Sequence, residues 1–141
     1  MKISARNQLK GIITNVAEGA VNGVVTIDLG GAQVKAGITM ESIKELGLAE
    51  GKEAYAIIKA TNVMFAIGNE RIATISARNQ LAGTVCNVTK GAVNGHVSVE
   101  LPNGCKVSGS ITNAAIDELG LEVGAPALAV IKATDVIVGV E

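Results

Sequence analysis

Four polar side chains occur twice in the sequence, at equivalent positions of two similar segments. They are Ser4 and Ser76, Arg6 and Arg78, Thr39 and Thr112, and Lys59 and Lys132. Arginine offers a planar fork of N–H groups with a fixed positive charge, lysine an ammonium group, and serine and threonine hydroxyl donors. Because the "SARNQ" and "IKAT" runs contain no acidic residue, a Ca²⁺ or Mg²⁺ site is a poor fit. The set therefore predicts a binding site for a compact oxyanion.

A purely structural role is the alternative for these residues. An arginine followed by an asparagine, seen once, is more often a surface ion-pair or turn residue than a ligand contact. Duplication weakens that interpretation without removing it. A lysine kept within the otherwise apolar pattern of "AYAIIKA" is hard to explain by packing.

The segments that carry these residues form an internal repeat. The matching runs are "ISARNQL" at 3–9 and 75–81, "GAVNG" at 19–23 and 91–95, "ELGL" at 45–48 and 118–121, and "IKAT" at 58–61 and 131–134. The repeat predicts two tandem copies of one small domain, residues 1–70 and 71–141. The connecting "MFAIGNERIAT" is too short and too apolar for a flexible linker, so the copies are expected to pack closely.

Each copy has the pattern of five β-strands and one short helix. In the first copy the strands are expected at "LKGIITNVA", "NGVVTIDL", "AQVKAGIT", "EAYAIIKA" and "NVMFAIG", which are rich in Val, Ile and Thr. The helix is expected in "TMESIKELGLAEG", where Ile43 and Leu46 have helical spacing and Gly47 can end the helix. This order is typical of a small OB-like Greek-key barrel, so the predicted fold class is all-β with two tandem barrels.

A single copy lies near the lower size limit for independent folding. Cys86 and Cys105 form no CxxC pair, so neither a disulfide framework nor a metal cluster is offered as support. Oligomerisation is the remaining source of stability, and it is expected here.

Composition disfavours membrane and nucleic-acid partners. No apolar run has the length of a signal peptide or a membrane span, so the predicted location is the cytoplasm. The formal charge is −1, and one Phe and one Tyr supply almost no stacking surface. Nucleic acid is therefore not an expected partner.

The sequence contains no catalytic set that both copies could use. His96 is the only histidine and aligns with Val24, and the two cysteines align with Thr14 and Ala32. A general base or nucleophile common to both copies is therefore absent, and His96 is expected on a strand surface. The protein is predicted not to be an enzyme and to need no cofactor.

The runs "SARNQLKG", "GAVNGVV", "ITMESIKELGL" and "IIKAT" followed by "VMFAIG" resemble the molbindin, or Mop/TOBE, family of small molybdate-binding domains. The resemblance covers essentially all 141 residues. It implies an OB-like barrel and a ring of six domains, which for a two-domain chain means a homotrimer. It also implies that molybdate, or its analogue tungstate, is bound at interfaces between domains.

The resemblance also implies the pocket residues, with the Thr and a nearby Ser coming from a neighbouring domain. They are Ser4, Arg6, Lys59, Ala60, Thr39 and Ser42 in the first copy, and Ser76, Arg78, Lys132, Ala133 and Thr112 in the second. The second copy departs from the pattern where Ala115 stands opposite Ser42, which removes one hydroxyl donor. The two kinds of pocket are therefore expected to differ in affinity.

The expected function is the binding, storage and buffering of molybdate, and also tungstate, in the cytoplasm. An alternative is a molybdate-responsive regulatory module. Since the sequence has no helix-turn-helix pattern, such a module would act through a protein partner. An OB-type nucleic-acid binder is a third possibility, which the composition disfavours.

Overall fold

The computed structural model describes residues 1–141, which form two five-stranded antiparallel sheets. The elements of the first copy are β1 (Asn7–Ala17), β2 (Asn22–Asp28), β3 (Gln33–Thr39), α1 (Met40–Glu45), β4 (Glu53–Ile58), a 3-10 turn (Ala60–Asn62) and β5 (Met64–Ile67). Those of the second copy are β6 (Asn79–Lys90), β7 (Asn94–Glu100), β8 (Lys106–Thr112), α2 (Asn113–Leu119), β9 (Pro126–Ile131), a 3-10 turn (Ala133–Asp135) and β10 (Ile137–Gly139). The predicted all-β class, with five strands and one short helix per copy, is confirmed. None of the helices is long and apolar enough to cross a membrane.

The first four strands of each copy form a Greek key. Within the first sheet β4 lies beside β1, and β2 and β3 follow, so the spatial order is β4-β1-β2-β3. This is the arrangement in which a fourth strand returns beside the first of three hairpin-connected strands. Burial alternates along β3, where Val34 and Ala36 face the core, while most of β2 is enclosed.

The fifth strand of each copy belongs to the sheet of the other copy. β10 pairs with β4 through Ile137 and Ile57, and β5 pairs with β9 through Met64 and Val130. Both exchanged strands are short and follow a 3-10 turn that redirects the chain. Local periodicity identifies a strand but not the sheet edge that it joins, so the exchange was not expected from the sequence. The division at residues 70 and 71 stays a prediction about the sequence copies, because the sheets do not follow it.

One hydrophobic core serves both copies. A single cluster of 27 buried residues includes Ile13 and Val25 from the first copy and Val97 and Val99 from the second. The exchanged strands contribute Phe65 and Val138 to the same cluster. Because the buried surface is continuous, the two copies pack as one unit, as the apolar connection between them predicted.

Each half of the molecule consists of one sheet, including the strand it receives from the other copy, and the two halves pack that strand with different side chains. A Cβ built on Gly109 of β8 would lie 2.5 Å from Cε2 of Phe65, so only glycine leaves room for the ring. In the other half the aligned residues are Ala36 and Val138, both buried. Each half therefore combines a larger residue on one strand with a smaller one on the other.

The variant Gly109→Ala is expected to lower the free energy of unfolding by about 1–3 kcal/mol, because the added methyl overpacks against Phe65. Adding Phe65→Val recreates the residue pair of the other half and should recover part of that loss. Urea denaturation of the two single variants and the double variant gives the coupling energy. Strictly additive losses would contradict the proposed complementarity.

Candidate oxyanion site

Strand pairing brings the "SARN" and "KAT" segments of one copy together. β1 and β4 run antiparallel with Asn7 opposite Ile58, so the residues before β1 lie beside those after β4. β6 and β9 repeat the arrangement, with Asn79 opposite Ile131. Residues that are far apart in the sequence are in this way placed at one end of each sheet.

A first cavity, of about 220 Å³, lies where this end of the first copy meets β7 and β8 of the second. Its lining residues are Ser4, Ala5, Arg6, Lys59, Ala60, Thr61, His96 and Ser110. Four residues predicted for the first-copy pocket, Ser4, Arg6, Lys59 and Ala60, therefore lie together. Thr61, from the same "IKAT" run, also lines the cavity and was not predicted, and neither were His96 and Ser110 of the second copy.

A second cavity, also of about 220 Å³, is lined by Ser76, Ala77, Arg78, Lys132, Ala133 and Thr134. It adjoins a wide cavity of about 720 Å³, which shares Arg78, Ala133 and Thr134 with it. The other walls of the wide cavity belong to the first copy and include Lys35, Gly37 and Thr39. Both small cavities thus lie where the "KAT" segment of one copy rests against the other copy.

The two predicted threonines cap helices. The Oγ1 atom of Thr39 accepts a hydrogen bond from the Ser42 N–H at 3.1 Å and donates one to the Ser42 Oγ at 3.0 Å. The Oγ1 atom of Thr112 accepts from the Ala115 N–H at 3.1 Å, with no second hydroxyl beside it. Such caps satisfy N–H groups of the first helical turn.

The capping threonines are not placed with the other predicted residues of their own copy. Thr39 lines the wide cavity with Arg78 and Ala133 of the second copy. The predicted origin of the threonine in a neighbouring domain is compatible with that position. Ser42 and Thr112 do not line the first, second or wide cavity. Their role in binding stays a prediction.

The asparagine of each "SARN" run clamps the other copy. The Asn7 side chain donates to the Ser108 carbonyl at 2.8 Å and accepts from the Ser108 N–H at 2.8 Å. Asn79 does the same to Lys35, with bonds of 2.8 and 2.7 Å. Both asparagines are only 2% exposed. A buried amide needs such partners, so part of the repeated run serves the joint between the copies.

The glutamine of the same run folds the site segment onto the strand. Gln8 Nε2 donates to the carbonyls of Ile3 and Ala5, and Gln80 Nε2 donates to the carbonyls of Ile72 and Ala77. The residues of the "SARNQ" run therefore have different roles. Ser and Arg line a cavity, Asn holds the other copy, and Gln holds the segment that carries Ser and Arg.

The basic residues of the two small cavities carry charges that no carboxylate offsets. The three ion pairs of the molecule join Met1 to Glu141, Lys10 to Glu53 and Lys90 to Asp117. Arg6 and Lys59 in the first cavity, and their counterparts in the second, take part in none of them. The structure also contains no group of three or more His, Cys, Asp or Glu residues that could hold a metal ion. Unpaired cations beside hydroxyl donors suit an anion with several acceptor oxygens.

Comparisons with known proteins support this interpretation. A model of the TOBE domain matches residues 3–65 and again residues 75–138. The molybdenum transport protein ModE of Herbaspirillum seropedicae is 42% identical over 142 residues, which are 100% of this chain and 52% of that protein. A probable molybdenum-pterin-binding protein of Haemophilus influenzae is 54% identical over 68 residues, which are 48% of this chain and 99% of that protein. This chain thus spans about half the length of the ModE relative.

A solved structure is similar along the whole of both chains. It is the cytoplasmic molybdate-binding protein ModG with molybdate bound, and it has a TM-score of 0.93, 46% sequence identity and 100% coverage of each chain. The predicted resemblance to the Mop/TOBE domains is therefore confirmed. The chain belongs to the TOBE domain family and carries that domain twice in tandem.

Proposed function

We propose that this protein binds molybdate, and tungstate as its analogue, and stores and buffers the ion in the cytoplasm. The observation that carries the proposal is the pair of small cavities, each with an unpaired arginine, an unpaired lysine and hydroxyl groups. The similarity to ModG, which is described as cytoplasmic and has molybdate bound, supports it.

The donor set explains binding without chemical change. Molybdate is a tetrahedral dianion whose oxygens accept hydrogen bonds. Arg6 and Lys59, or Arg78 and Lys132, would offset its charge through charge-assisted bonds. N–H groups at the start of a 3-10 turn have no acceptor within the turn, so the backbone at Ala60 and Ala133 can add neutral donors. Because such binding uses only charge and hydrogen bonds, the ion would be released chemically unchanged.

We further propose that the chain assembles as a homotrimer. Three pairs of equivalent apolar residues are exposed in the isolated chain, namely Ile3 and Ile75, Val21 and Val93, and Met64 and Ile137. Exposed apolar side chains repeated at the same positions of both copies indicate surfaces that neighbouring chains can cover. Assembly could also supply ligand contacts, such as Ser42 and Thr112, that the chain alone does not bring to its cavities.

A molybdate-responsive regulatory module is not favoured. A solved structure that matches along the whole chain is that of a molybdate-binding protein, and the relatives include molybdenum-pterin-binding proteins. We therefore assign the role to binding and storage.

Native mass spectrometry of the purified protein, with molybdate and then with sulfate, tests the proposal. We expect a trimer that takes up several molybdate ions and few or no sulfate ions, since the smaller sulfate makes poorer contact with the donors. A protein that takes up neither ion, or both equally, would contradict selective molybdate storage. A monomer that still binds molybdate would contradict the trimer alone.

A further inference from the structure

The two small cavities differ in the wall that the other copy supplies. His96 of β7 and Ser110 of β8 line the first cavity. The aligned residues of the first copy are Val24 and Gly37, which line the wide cavity beside the second cavity. At these two positions the wall of the first cavity has an imidazole and a hydroxyl group. The wall of the wide cavity has the isopropyl group of Val24, and Gly37 adds no side chain.

His96 and Ser110 face the cavity together. They are directly opposite each other in the β7 and β8 pairing, and side chains of opposed residues lie on the same face of a sheet. On the other side of β7, His96 is opposite Thr89 of β6. The charged groups that share the cavity with His96 are Arg6 and Lys59, and no carboxylate lines it.

The wall of the wide cavity has no histidine but carries a fixed positive charge. Lys35 of β3 lines the wide cavity, and it takes part in no ion pair. At the aligned position β8 has Ser108, whose hydroxyl hydrogen-bonds the Ser98 hydroxyl at 2.7 Å. The second and wide cavities thus hold the positive charges of Arg78, Lys132 and Lys35, and the carboxylate of Glu18 also lines the wide cavity. The first cavity holds two permanent charges and one group that can gain a proton.

We propose that His96 and Ser110 make the first cavity a separate class of oxyanion site, whose affinity rises as pH falls. This inference rests on the proposed binding of molybdate. Histidine is the side chain whose charge commonly changes between pH 5 and 8. In the protonated form both ring nitrogens donate and the ring adds a third positive charge, whereas the neutral ring has one donor and one acceptor. A dianion is therefore bound more tightly by the protonated form.

Coupling between the ion and the proton is reciprocal. If protonation of His96 tightens binding, bound molybdate must favour the protonated imidazole to the same extent. The chain has one histidine, so its imidazole protons give a single set of NMR signals that reports on this cavity alone. The site can thus be observed in the unmodified protein without a label.

Isothermal titration with sodium molybdate at pH 6 and pH 8 tests the proposal in the wild type and in His96→Val. In the wild type we expect one class of sites to tighten about tenfold at the lower pH, the effect of one charge-assisted hydrogen bond, and a second class to change little. His96→Val, which installs the residue of the other wall, should lose the pH-dependent class. The matched variant Val24→His should introduce a pH dependence at the wide cavity. In the wild type, molybdate should move the NMR titration of the imidazole to higher pH.

Two results would overturn the inference while leaving molybdate binding in place. One is a His96→Val variant that keeps the wild-type pH dependence. The other is an imidazole titration that molybdate does not alter. A wild-type protein that binds no molybdate at either pH would instead overturn the proposed function, and this inference with it.

Discussion

Replacing Arg6 and Arg78 together with alanine is expected to weaken molybdate binding about a hundredfold and to leave the fold intact. Each small cavity contains one of these arginines, and neither is engaged in an ion pair. A hydrogen bond to a charged group contributes about 1.5–3 kcal/mol, and a bidentate arginine can make two of them. Because both side chains are exposed, their removal creates no buried cavity. Equilibrium dialysis measures the affinity, and circular dichroism with native mass spectrometry measures fold and assembly.

A matched control separates the site from the general charge of the protein. The double variant Lys44→Ala and Lys106→Ala removes the same charge, one residue from each copy, at exposed positions outside the two small cavities. We expect this control to bind molybdate nearly as the wild type does, with a small loss at low salt. Arg6→Lys with Arg78→Lys should be intermediate, because charge remains and the planar fork is lost. Equal losses in the arginine and lysine double variants would contradict the site assignment.

The second large effect is expected on stability, from Asn7→Ala or Asn79→Ala. Asn7 satisfies both backbone groups of Ser108 and also donates to the Ile58 carbonyl at 3.1 Å. Alanine would leave these buried groups without partners, at about 1–3 kcal/mol each, so the free energy of unfolding should fall by about 2–5 kcal/mol. Urea denaturation followed by circular dichroism measures the change.

Asn69→Ala is the control for the asparagine variants. Asn69 is exposed between the copies and its side chain makes no hydrogen bond within the chain, so its removal should change the unfolding free energy by about 0.5 kcal/mol or less. If Asn7→Ala were no more destabilising than Asn69→Ala, the proposed clamp between the copies would be wrong. Asn79→Ala is also expected to weaken binding at the second cavity, since Asn79 fixes the backbone of Lys35 in the adjoining wide cavity.

The strand pattern predicted the secondary structure closely, because it depends on local residue types. The expected strand "NGVVTIDL" matches β2 (Asn22–Asp28), and the expected helix contains α1 (Met40–Glu45). The exchange of β5 and β10 escaped prediction, because two nearly identical sheets offer nearly identical edges to a fifth strand.

The residues that one copy contributes to the candidate site could be predicted from the sequence, whereas those contributed by the other copy could not. The repeat of Ser, Arg and Lys indicated an oxyanion pocket, and antiparallel pairing explains how these residues meet. His96 lies exposed on a strand, as expected, but it also lines the first cavity. Its lack of a counterpart argued against a role common to both copies, and that reasoning could not detect a role confined to one. The clamp by Asn7 was missed because its partners are distant backbone groups, which no sequence pattern indicates.

We expect each chain to hold oxyanions where the "SAR" and "KAT" segments of one copy meet the strands of the other. Anomalous diffraction from crystals grown with tungstate tests this location most directly, because the anomalous signal identifies each tungsten atom by element. We predict one peak in the first cavity, beside Arg6 and Lys59, and one in the second, beside Arg78 and Lys132. Peaks only at other surfaces, or none at saturating tungstate, would contradict the account.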